Sequence, residues 1–406
     1  MKNPLGTAEE FANKSSDQIL HRSGKGMRLR NGIGFLLSAA ILAAPGTTQA
    51  QSALLEEAVG LSGLAMFMES GAVGMVLAVV QGEDEIVVGF GETAEGNGQE
   101  PDGNSLLRLG SNSKVFAGEL LGGLAAEGQL SLTDPLQRFA PEGASVPHFD
   151  GRTITLLDLA THSAALPREL PQDPPANSPP YAWPTAADRF AWLAGYTLSW
   201  SPGSVAAYSN VGFDLLSAAL GTATGKPYPD LLRERITGPL GMSDTVLEPS
   251  EEQCARLMTG YGIPGADAQP CVATVNIAGS GGLYSTADDM VRWLRHSLAR
   301  SDPAAWPTLA LSHAPYLERS TLDDAIGFDE AGITDGIALA WLRMVAADHR
   351  PMILQKSGGL AGFMSYTAFA PGRDVGVFVA VNKIDFGMFA GLTEGANELI
   401  ASLAPQ

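Results

Sequence analysis

Ser111 and Lys114 are the first residues in the chain whose types and spacing could do chemistry. They stand in Ser111-Asn112-Ser113-Lys114, at the start of a segment, 111–128, with helical spacing. A serine at a helix N-terminus lies among free N–H groups that stabilise a developing negative charge. Lys114 follows one turn later on the same face, where a partly buried, deprotonated lysine can take the serine proton. The alternative is a capping serine beside an unrelated surface lysine.

Tyr208 and Asn210 form a second candidate pair, in the sequence Tyr208-Ser209-Asn210. A phenol near a lysine can relay a proton, and an asparagine amide can hold the lysine while it donates to a substrate carbonyl. Alternatively, the segment is a turn in which Asn210 caps the helix predicted at 211–223. Taken alone, this motif favours the turn and the cap.

Lys356-Ser357-Gly358-Gly359 is the third candidate, and it follows an apolar stretch that predicts a late strand. A cation and a hydroxyl side by side on a strand suit a substrate carboxylate. The glycines let the backbone approach a substrate closely, so that a backbone N–H can join an oxyanion hole. The alternative is a strand end followed by a glycine turn.

Lysine is scarce after residue 50, which favours specific roles for those present: Lys114, Lys226, Lys356 and Lys383.

The three motifs together are far more specific than any one of them. S-x-x-K, then Y-x-N, then K-S/T-G on a late strand is the motif order of the penicillin-recognising serine hydrolases. The chain resembles the class C β-lactamases and, more closely, the AmpH-type D-alanyl-D-alanine carboxypeptidase/endopeptidases. The closer resemblance runs from about Val73 to the C-terminal helix and rests on these further segments: ITL (154–156), LATHS (159–163), LPRE (166–169), PG (202–203), AYSN (207–210), FDLL (213–216), PLGM (239–242), QC (253–254), RLM (256–258), PC (270–271), GSGG (279–282), YST (284–286) and QK (355–356).

This resemblance implies a catalytic mechanism. Lys114, assisted by Tyr208, would deprotonate Ser111, which would attack the peptide carbonyl before a terminal D-amino acid. Asn210 would orient Lys114 and the substrate amide. Water would then hydrolyse the acyl-enzyme, with Tyr208 or Lys114 as the base. No metal or organic cofactor is implied, and the implied ligands are peptidoglycan peptides and β-lactams.

The resemblance also assigns the binding groups. The N–H groups of Ser111 and Gly359 would hold the oxyanion, and Gly358 would continue the same binding strand. Lys356 and Ser357 would bind the substrate carboxylate, and Lys356 would also lower the pKa of Tyr208. Serine replaces the usual threonine at position 357, and its hydroxyl is expected to serve equally well.

The elements that must position these residues are predicted as strands at both ends of the chain and helices between them. The sequence predicts an α/β (α+β) fold with an antiparallel sheet flanked by terminal helices and an inserted helical region. The resemblance implies that this fold is β-lactamase/transpeptidase-like. The predicted strands are 73–80, 85–90, 364–370 and 375–381, with turns at 82–84 and 371–374. The predicted helices are 54–70, 111–128, 153–163, 185–197, 211–223, 228–238, 286–299 and 387–403.

The N-terminal region predicts export. Residues 27–31 are basic, residues 32–44 are apolar, and residues 48–50 resemble a cleavage site. The apolar run is too short for a membrane span of about 20 residues. The alternative is a buried N-terminal helix. We expect a signal peptide at 27–50, a natural start at Met27, and a non-native or misassigned extension at 1–26.

The rest of the chain, residues 51–406, is expected to be one serine hydrolase domain. Its sheet subdomain is predicted at about 51–105 and 345–406, and its helical subdomain at about 106–344. Cys254 and Cys271 suggest a disulfide in an exported protein. The alternative is two unrelated buried thiols, and two cysteines alone make a weak zinc site.

Other conspicuous residues have simpler interpretations. His162 is expected to be structural, because the serine already has a base. Trp293 and Trp341 are expected in the core. The proline-rich stretch 167–184 either lines the substrate cleft or forms a rigid surface loop.

Charge limits the classes of partner. The formal net charge is −19 and the pI is about 4.6, so the protein repels phosphate backbones and nucleic acid is not an expected partner. The leader predicts a periplasmic protein, for which membrane association is possible but not implied. A class C-like β-lactamase or an esterase is the related alternative, although many esterases have histidine where Lys356 stands. A penicillin or peptidoglycan sensor that acylates without turnover is the alternative of another class.

Overall fold

The computed structural model describes residues 48–262 and 269–404. The α-helices of this part are α1 (Thr48–Ser70), α2 (Ser113–Ala126), α3 (Leu156–Ala160), α4 (Ala186–Leu193), α5 (Asn210–Thr224), α6 (Tyr228–Leu232), α7 (Glu251–Ala255), α8 (Ala287–Leu298), α9 (Trp306–His313) and α10 (Phe386–Leu403). The strands are β1 (Gly74–Gln81), β2 (Asp84–Gly91), β3 (Leu107–Arg108), β4 (His148–Phe149), β5 (Arg152–Thr153), β6 (Val205–Ala207), β7 (Tyr284–Ser285), β8 (Leu317–Glu318), β9 (Asp324–Ile326), β10 (Gly336–Ile337), β11 (Leu342–Met344), β12 (Ile353–Leu360), β13 (Phe363–Ala370) and β14 (Val375–Val381).

An eight-stranded antiparallel sheet joins the two ends of the chain. Its order is β2-β1-β14-β13-β12-β11-β10-β8, so the N-terminal hairpin pairs directly with the last strand. The register places Leu77 opposite Val379 and Ala78 opposite Phe378. The predicted strands and the antiparallel sheet are therefore confirmed.

Both faces of the central strands are covered, which explains why β13 and β14 are buried along their whole length. Side chains alternate between the two faces with a period of two. Leu77 and Val79 face α1 and α10, where Leu55 and Ile400 belong to the same apolar cluster. The alternate residues of β1 face α8 and the helical region.

In the sequence, the helical region is inserted between β2 and the later strands of the large sheet, as predicted. Helix α2 runs through its centre, where Phe116 stacks on Trp293 of α8 with ring centroids 4.1 Å apart. Trp293 and Trp341 are fully buried, so their expected place in the core is confirmed. Each predicted helix is present, and several are shorter than predicted. Thr155 caps α3, so this helix starts three residues later than predicted, whereas α4 starts next to its cap Thr185 but already ends at Leu193.

The structure adds elements that the sequence does not predict. Helix α9 and the strands β8, β10 and β11 are among them, and the three strands extend the sheet beyond β12. These strands are two or three residues long, too short for a periodic pattern. They precede residue 345, so the sheet draws on both predicted subdomains, and the division itself stays a prediction.

The predicted signal peptide, residues 27–50, and the extension before it fall outside the residues whose side chains are described. Between residues 48 and 404, with the gap at 263–268, no helix combines the length and the apolarity that a membrane crossing requires.

Candidate active site

Ser111 lies in a short 3-10 turn, Gly110–Asn112, that leads into α2. The turn is fixed on two sides. The Asn112 Nδ2 donates to the Ser365 Oγ of β13 at 2.8 Å. The Ser113 Oγ donates to the Gly110 carbonyl at 2.8 Å and accepts the Leu283 N–H at 3.0 Å. The two residues between Ser111 and Lys114 therefore anchor the turn.

Lys114 lies on the first turn of α2, directly behind Ser111, and is fully buried. Its Nζ donates to the Ser111 Oγ at 3.0 Å and to the Asn210 Oδ1 at 2.6 Å. It also donates to the Ser280 carbonyl. Burial and the charge of Lys356 hold the pKa of Lys114 well below its usual range. Protonated Lys114 can donate all three of these bonds. Neutral Lys114 has two N–H donors and one lone pair, so it can keep the bonds to Asn210 and Ser280 and accept the Ser111 proton.

Tyr208 follows strand β6, whose parallel pairing with β9 places the Tyr208 N–H on the Ile326 carbonyl. Its ring centroid lies 4.9 Å from the Lys114 Nζ and 5.2 Å from the Lys356 Nζ. Burial raises the pKa of Tyr208, while a hydrogen bond with Ser111 opposes the rise. The family resemblance implies that Lys356 lowers this pKa, whereas in the structure the desolvation of the phenol outweighs the charges around it.

Asn210 begins α5, and its amide oxygen faces Lys114 because its amide nitrogen donates to Glu169. The helix cap is Ser209, whose Oγ accepts the Gly212 N–H at 3.0 Å. The alternative interpretation of Asn210 as the cap is therefore wrong, and its side chain is left for Lys114.

The strand β12 carries Lys356, Ser357, Gly358 and Gly359 and packs against the Ser111 turn. A Cβ on Gly358 would lie 2.1 Å from the Leu109 carbonyl oxygen, so a larger residue would push the strand away from the turn. Gly359 lies beside Gly110 and brings its backbone N–H next to the turn.

Lys356 is buried on β12, and its Nζ donates to the Ser357 carbonyl at 2.6 Å. Burial lowers the pKa of Lys356 to about 7, with Arg168 lowering it further and Glu330 opposing. Lys114, Tyr208 and Asn210 thus lie around Ser111, and the strand that carries Lys356, Ser357, Gly358 and Gly359 packs against the same turn. The roles of these residues remain predictions.

Comparisons with known proteins agree with this arrangement. The family model described as Beta-lactamase matches residues 52–398. The chain belongs to the β-lactamase family. The D-alanyl-D-alanine-carboxypeptidase/endopeptidase AmpH of Escherichia coli (strain K12) is 40% identical over 339 residues, which cover 84% of this chain and 87% of the relative. A β-lactamase of Pseudomonas fluorescens is 23% identical over 335 residues, which cover 76% of this chain and 88% of the relative.

Solved structures show the same family and fold. The crystal structure of a β-lactamase/D-alanine carboxypeptidase from Yersinia pestis complexed with citrate matches with a TM-score of 0.80 and 40% identity, covering 87% of this chain and 99% of that one. A class C β-lactamase matches with a TM-score of 0.72 at 19% identity, covering 88% of this chain and 99% of that one, and shows the fold alone. The β-lactamase-like fold and the assignment to the serine hydrolases are therefore confirmed.

In this β-lactamase fold His162 packs against Tyr208 and binds the backbone of the next residue. Its ring stacks on Tyr208 with centroids 4.3 Å apart, and its Nδ1 accepts the Ser209 N–H at 2.9 Å. Burial and the neighbouring charge of Lys114 hold the pKa of His162 well below its usual range, so the ring is neutral. These contacts fit the structural role expected for it.

Three residues in or next to the site were not predicted as functional from the sequence. Glu169 binds the Asn210 amide, the Ser280 carbonyl accepts from Lys114, and Asp214 binds the Ser280 N–H. Glu169 stands at the start of the proline-rich loop, so this end reaches the site while residues 171–177 are exposed. A usable signal existed for Asp214, because a single carboxylate inside an apolar helical segment needs a buried partner.

Cys254 and Cys271 lie at the two ends of the segment that contains the undescribed residues 263–268. Their Cα atoms are 5.7 Å apart, within the range that disulfides span. The neighbouring Pro270 carbonyl accepts from Arg108 at 2.6 Å, so this segment packs near the strand that leads to Ser111.

Proposed function

We propose that this protein is a serine D-alanyl-D-alanine carboxypeptidase/endopeptidase that acts on peptidoglycan peptides through an acyl-enzyme on Ser111. The observation that carries the proposal is the buried Lys114 Nζ, 3.0 Å from the Ser111 Oγ. The peptide specificity is taken from the 40% identity to the Escherichia coli carboxypeptidase/endopeptidase.

The first half of the proposed reaction forms the acyl-enzyme. Neutral Lys114 takes the proton of the Ser111 hydroxyl as its oxygen bonds to the substrate carbonyl carbon. The N–H groups of Ser111 and Gly359 stabilise the resulting oxyanion. The carbon–nitrogen bond then breaks, and the leaving amine takes up a proton and departs as a D-amino acid or a longer fragment.

Tyr208 suits the role of proton relay better than that of resting base. Burial raises its pKa, so the phenol stays protonated at neutral pH and can pass its proton to the leaving amine while it takes up the proton that Lys114 removed from Ser111, which leaves Lys114 neutral again. Lys114, with a lowered pKa, suits the role of base in both halves of the reaction. In the second half, Lys114 or Tyr208 deprotonates a water that attacks the ester, and Ser111 regains its proton.

Substrate recognition is assigned to β12 and to Asn210. Lys356 and Ser357 present a cation and a hydroxyl to the carboxylate of the terminal residue. Asn210, held between Lys114 and Glu169, donates to the substrate amide. β-Lactams imitate the same acyl donor, so binding of penicillin and a weak β-lactamase activity are part of the proposal.

The place of action is proposed from the leader. We propose export to the periplasm with cleavage of the signal peptide near Ala50, and a Cys254–Cys271 disulfide formed there. N-terminal sequencing of periplasmic material is expected to begin at or near Gln51. A mature protein that retains Lys25 or Arg28 would contradict cleavage.

One experiment tests the proposed reaction. Mass spectrometry after exposure to penicillin is expected to find the adduct on Ser111, and a chase is expected to release it. A D-Ala-D-Ala peptide is expected to be hydrolysed with a higher kcat/KM than a chromogenic cephalosporin. The reverse preference favours a β-lactamase, and an adduct that never leaves favours a sensor.

A further inference from the structure

A buried ion pair lies behind the catalytic lysine, outside the three motifs. The Arg189 Nη2 of α4 donates to the Asp214 Oδ2 of α5 at 2.5 Å, and each side chain is only 4% exposed. The Arg189 Nη1 also donates to the Pro184 carbonyl at 2.6 Å. Burying two charges requires a large desolvation free energy, so a structural reason alone explains such a pair poorly.

The pair connects to Lys114 through one residue. The second carboxylate oxygen of Asp214, Oδ1, accepts the Ser280 N–H at 3.0 Å. The carbonyl of the same Ser280 accepts from the Lys114 Nζ. Asp214 therefore holds the residue whose carbonyl holds the lysine.

The loop around Ser280 is shaped for this contact. A Cβ on Gly279 would lie 2.0 Å from the Phe213 carbonyl oxygen, so only glycine lets the loop lie this close to α5. The Gly281 N–H and the Gly282 N–H both bond to the Ile277 carbonyl at 2.9 Å, which closes the loop on itself. Ser280 is buried between the helix and Lys114.

We infer that Asp214 is a positioning residue for Lys114, and that Arg189 sets how much of the Asp214 charge Lys114 experiences. The inference rests on the proposed role of Lys114 as the base for Ser111. Asp214 acts in two ways: it fixes the Ser280 carbonyl against the Nζ, and its negative charge favours the protonated lysine. Arg189 offsets that charge, so that the lysine loses its proton more readily.

The groups around Lys114 determine whether its pKa is raised or lowered. Burial and Lys356 lower the pKa of Lys114, and Asp214 raises it. Burial raises the pKa of Asp214 to about 6, and Arg189 opposes the rise. The further titratable or charged groups near Lys114 are Tyr208, His162, Arg168 and Glu169. None of them changes in the variants below.

Two single variants should move the pH dependence in opposite directions. Asp214→Asn keeps an oxygen for the Ser280 N–H but removes the negative charge, so the pKa of Lys114 falls. Arg189→Gln leaves the Asp214 carboxylate without its partner and raises the pKa of Asp214 further, so the pKa of Lys114 rises in the pH range where Asp214 stays ionised. In that range we expect the acid limb of the Ser111 acylation rate to shift by about one pH unit down in the first variant and up in the second.

The measurement is the rate of acylation by a fluorescent penicillin across the acid limb, scaled to the plateau of each variant. A second readout is the titration of the Lys114 side chain by NMR in lysine-labelled protein. Few lysines follow residue 50, so single Lys→Arg variants of Lys226 and Lys383 help to assign the signals. The double variant Asp214→Asn/Arg189→Gln buries no unpaired charge and is expected to return the limb toward that of the wild type.

Arg292→Gln is the matched control. It breaks an ion pair to Asp289, whose side chain is 2% exposed, but this pair lies on α8 and not among the groups that act on Lys114. Its acid limb is expected to stay in place. The inference would be overturned if the acid limb of the acylation rate stays at the wild-type pH in both Asp214→Asn and Arg189→Gln, or if it moves in the same direction in both. A wild type that penicillin does not acylate at Ser111 would instead overturn the proposed function.

Discussion

Gly110 packs so closely against Gly359 that a Cβ on Gly110 would lie 2.6 Å from the Gly359 nitrogen. Gly110 has φ +52°, a conformation that side chains rarely adopt. The residue before the nucleophile is therefore fitted to the strand that is proposed to supply the second N–H of the oxyanion hole. Because Gly110 has no side chain, the turn that carries Ser111 can lie this close to β12.

Gly110→Ala is expected to lower the acylation rate by roughly a hundredfold, because a displacement of about 1 Å at a catalytic site has effects of that order. Gly128→Ala is the control: Gly128 has φ +70°, but nothing lies within 4 Å of its Cβ position. Both variants carry similar backbone strain, and only the first is expected to lose acylation. Equal losses of activity would mean that strain, not the contact with Gly359, is responsible.

Ser111→Ala is expected to abolish acylation in a folded protein, since loss of one hydroxyl at a helix start costs about 1 kcal/mol at most. Ser113→Ala is expected to destabilise the protein but to leave acylation intact. It removes two buried hydrogen bonds and is expected to lower the free energy of unfolding by about 1–3 kcal/mol while Ser111 still acylates. Mass spectrometry of penicillin-treated protein and thermal unfolding separate the two. Labelling that persists in Ser111→Ala would refute the assigned nucleophile.

Much of the fold could be predicted because it depends on local patterns. The hairpin of β1 and β2 and the strands β13 and β14 are apolar runs broken by turn residues, and helix α2 follows its spacing. The site could be predicted because three motifs in one order restrict the family. Each motif alone also fitted a turn or a cap, as with Asn210.

The remaining features depend on tertiary contacts that no local pattern contains. Asp214 and Arg189 stand on different helices, and the Ser280 carbonyl is a backbone group that any residue carries. The pKa of Tyr208 was expected to fall beside a lysine, yet burial raises it. The extent of burial follows from packing, so a sequence gives the charged neighbours of a phenol more readily than its desolvation.

Cys254 and Cys271 are expected to be bonded in the exported protein, where the bond would contribute on the order of 3 kcal/mol in the chain-entropy model. Thiol titration of the denatured, unreduced protein should detect no free thiol, and the reduced protein should show both. Reduction should also lower Tm, and a Cys254→Ser/Cys271→Ser variant should match the reduced protein. Two reactive thiols before reduction would refute the bond.

The pH dependence of kcat/KM should reveal Lys356. Burial lowers the pKa of Lys356 to about 7, so its charge is present below that pH and is lost as the pH rises through it. For a peptide with a free terminal carboxylate, kcat/KM should therefore fall on the alkaline side, by about tenfold for each pH unit until the total loss reaches about ten- to a hundredfold and levels off. An amidated peptide has no carboxylate to lose its partner and should lack this limb. If both peptides show the same alkaline limb, the limb reports the titration of a group other than Lys356.

Lys356 is expected to recognise the terminal carboxylate of the substrate. A charge-assisted hydrogen bond in a partly dry cleft contributes roughly 1.5–3 kcal/mol. Amidation of the terminal carboxylate of a D-Ala-D-Ala peptide should therefore lower kcat/KM by about ten- to a hundredfold. Lys356→Ala should show the same loss on the free acid.

The decisive quantity is the coupling between the two changes. On the amidated peptide Lys356→Ala should lose little more, because the partner of the lysine is already absent. A small further loss is compatible with recognition, because the Lys356 Nζ also lies 5.2 Å from the Tyr208 ring centroid and its charge acts on the site in general. Ser357→Ala tests the other proposed partner of the carboxylate, because it removes the hydroxyl and leaves the cation. If the losses from amidation and from Lys356→Ala simply add, Lys356 does not bind the carboxylate, and endopeptidase or esterase activity becomes the better assignment.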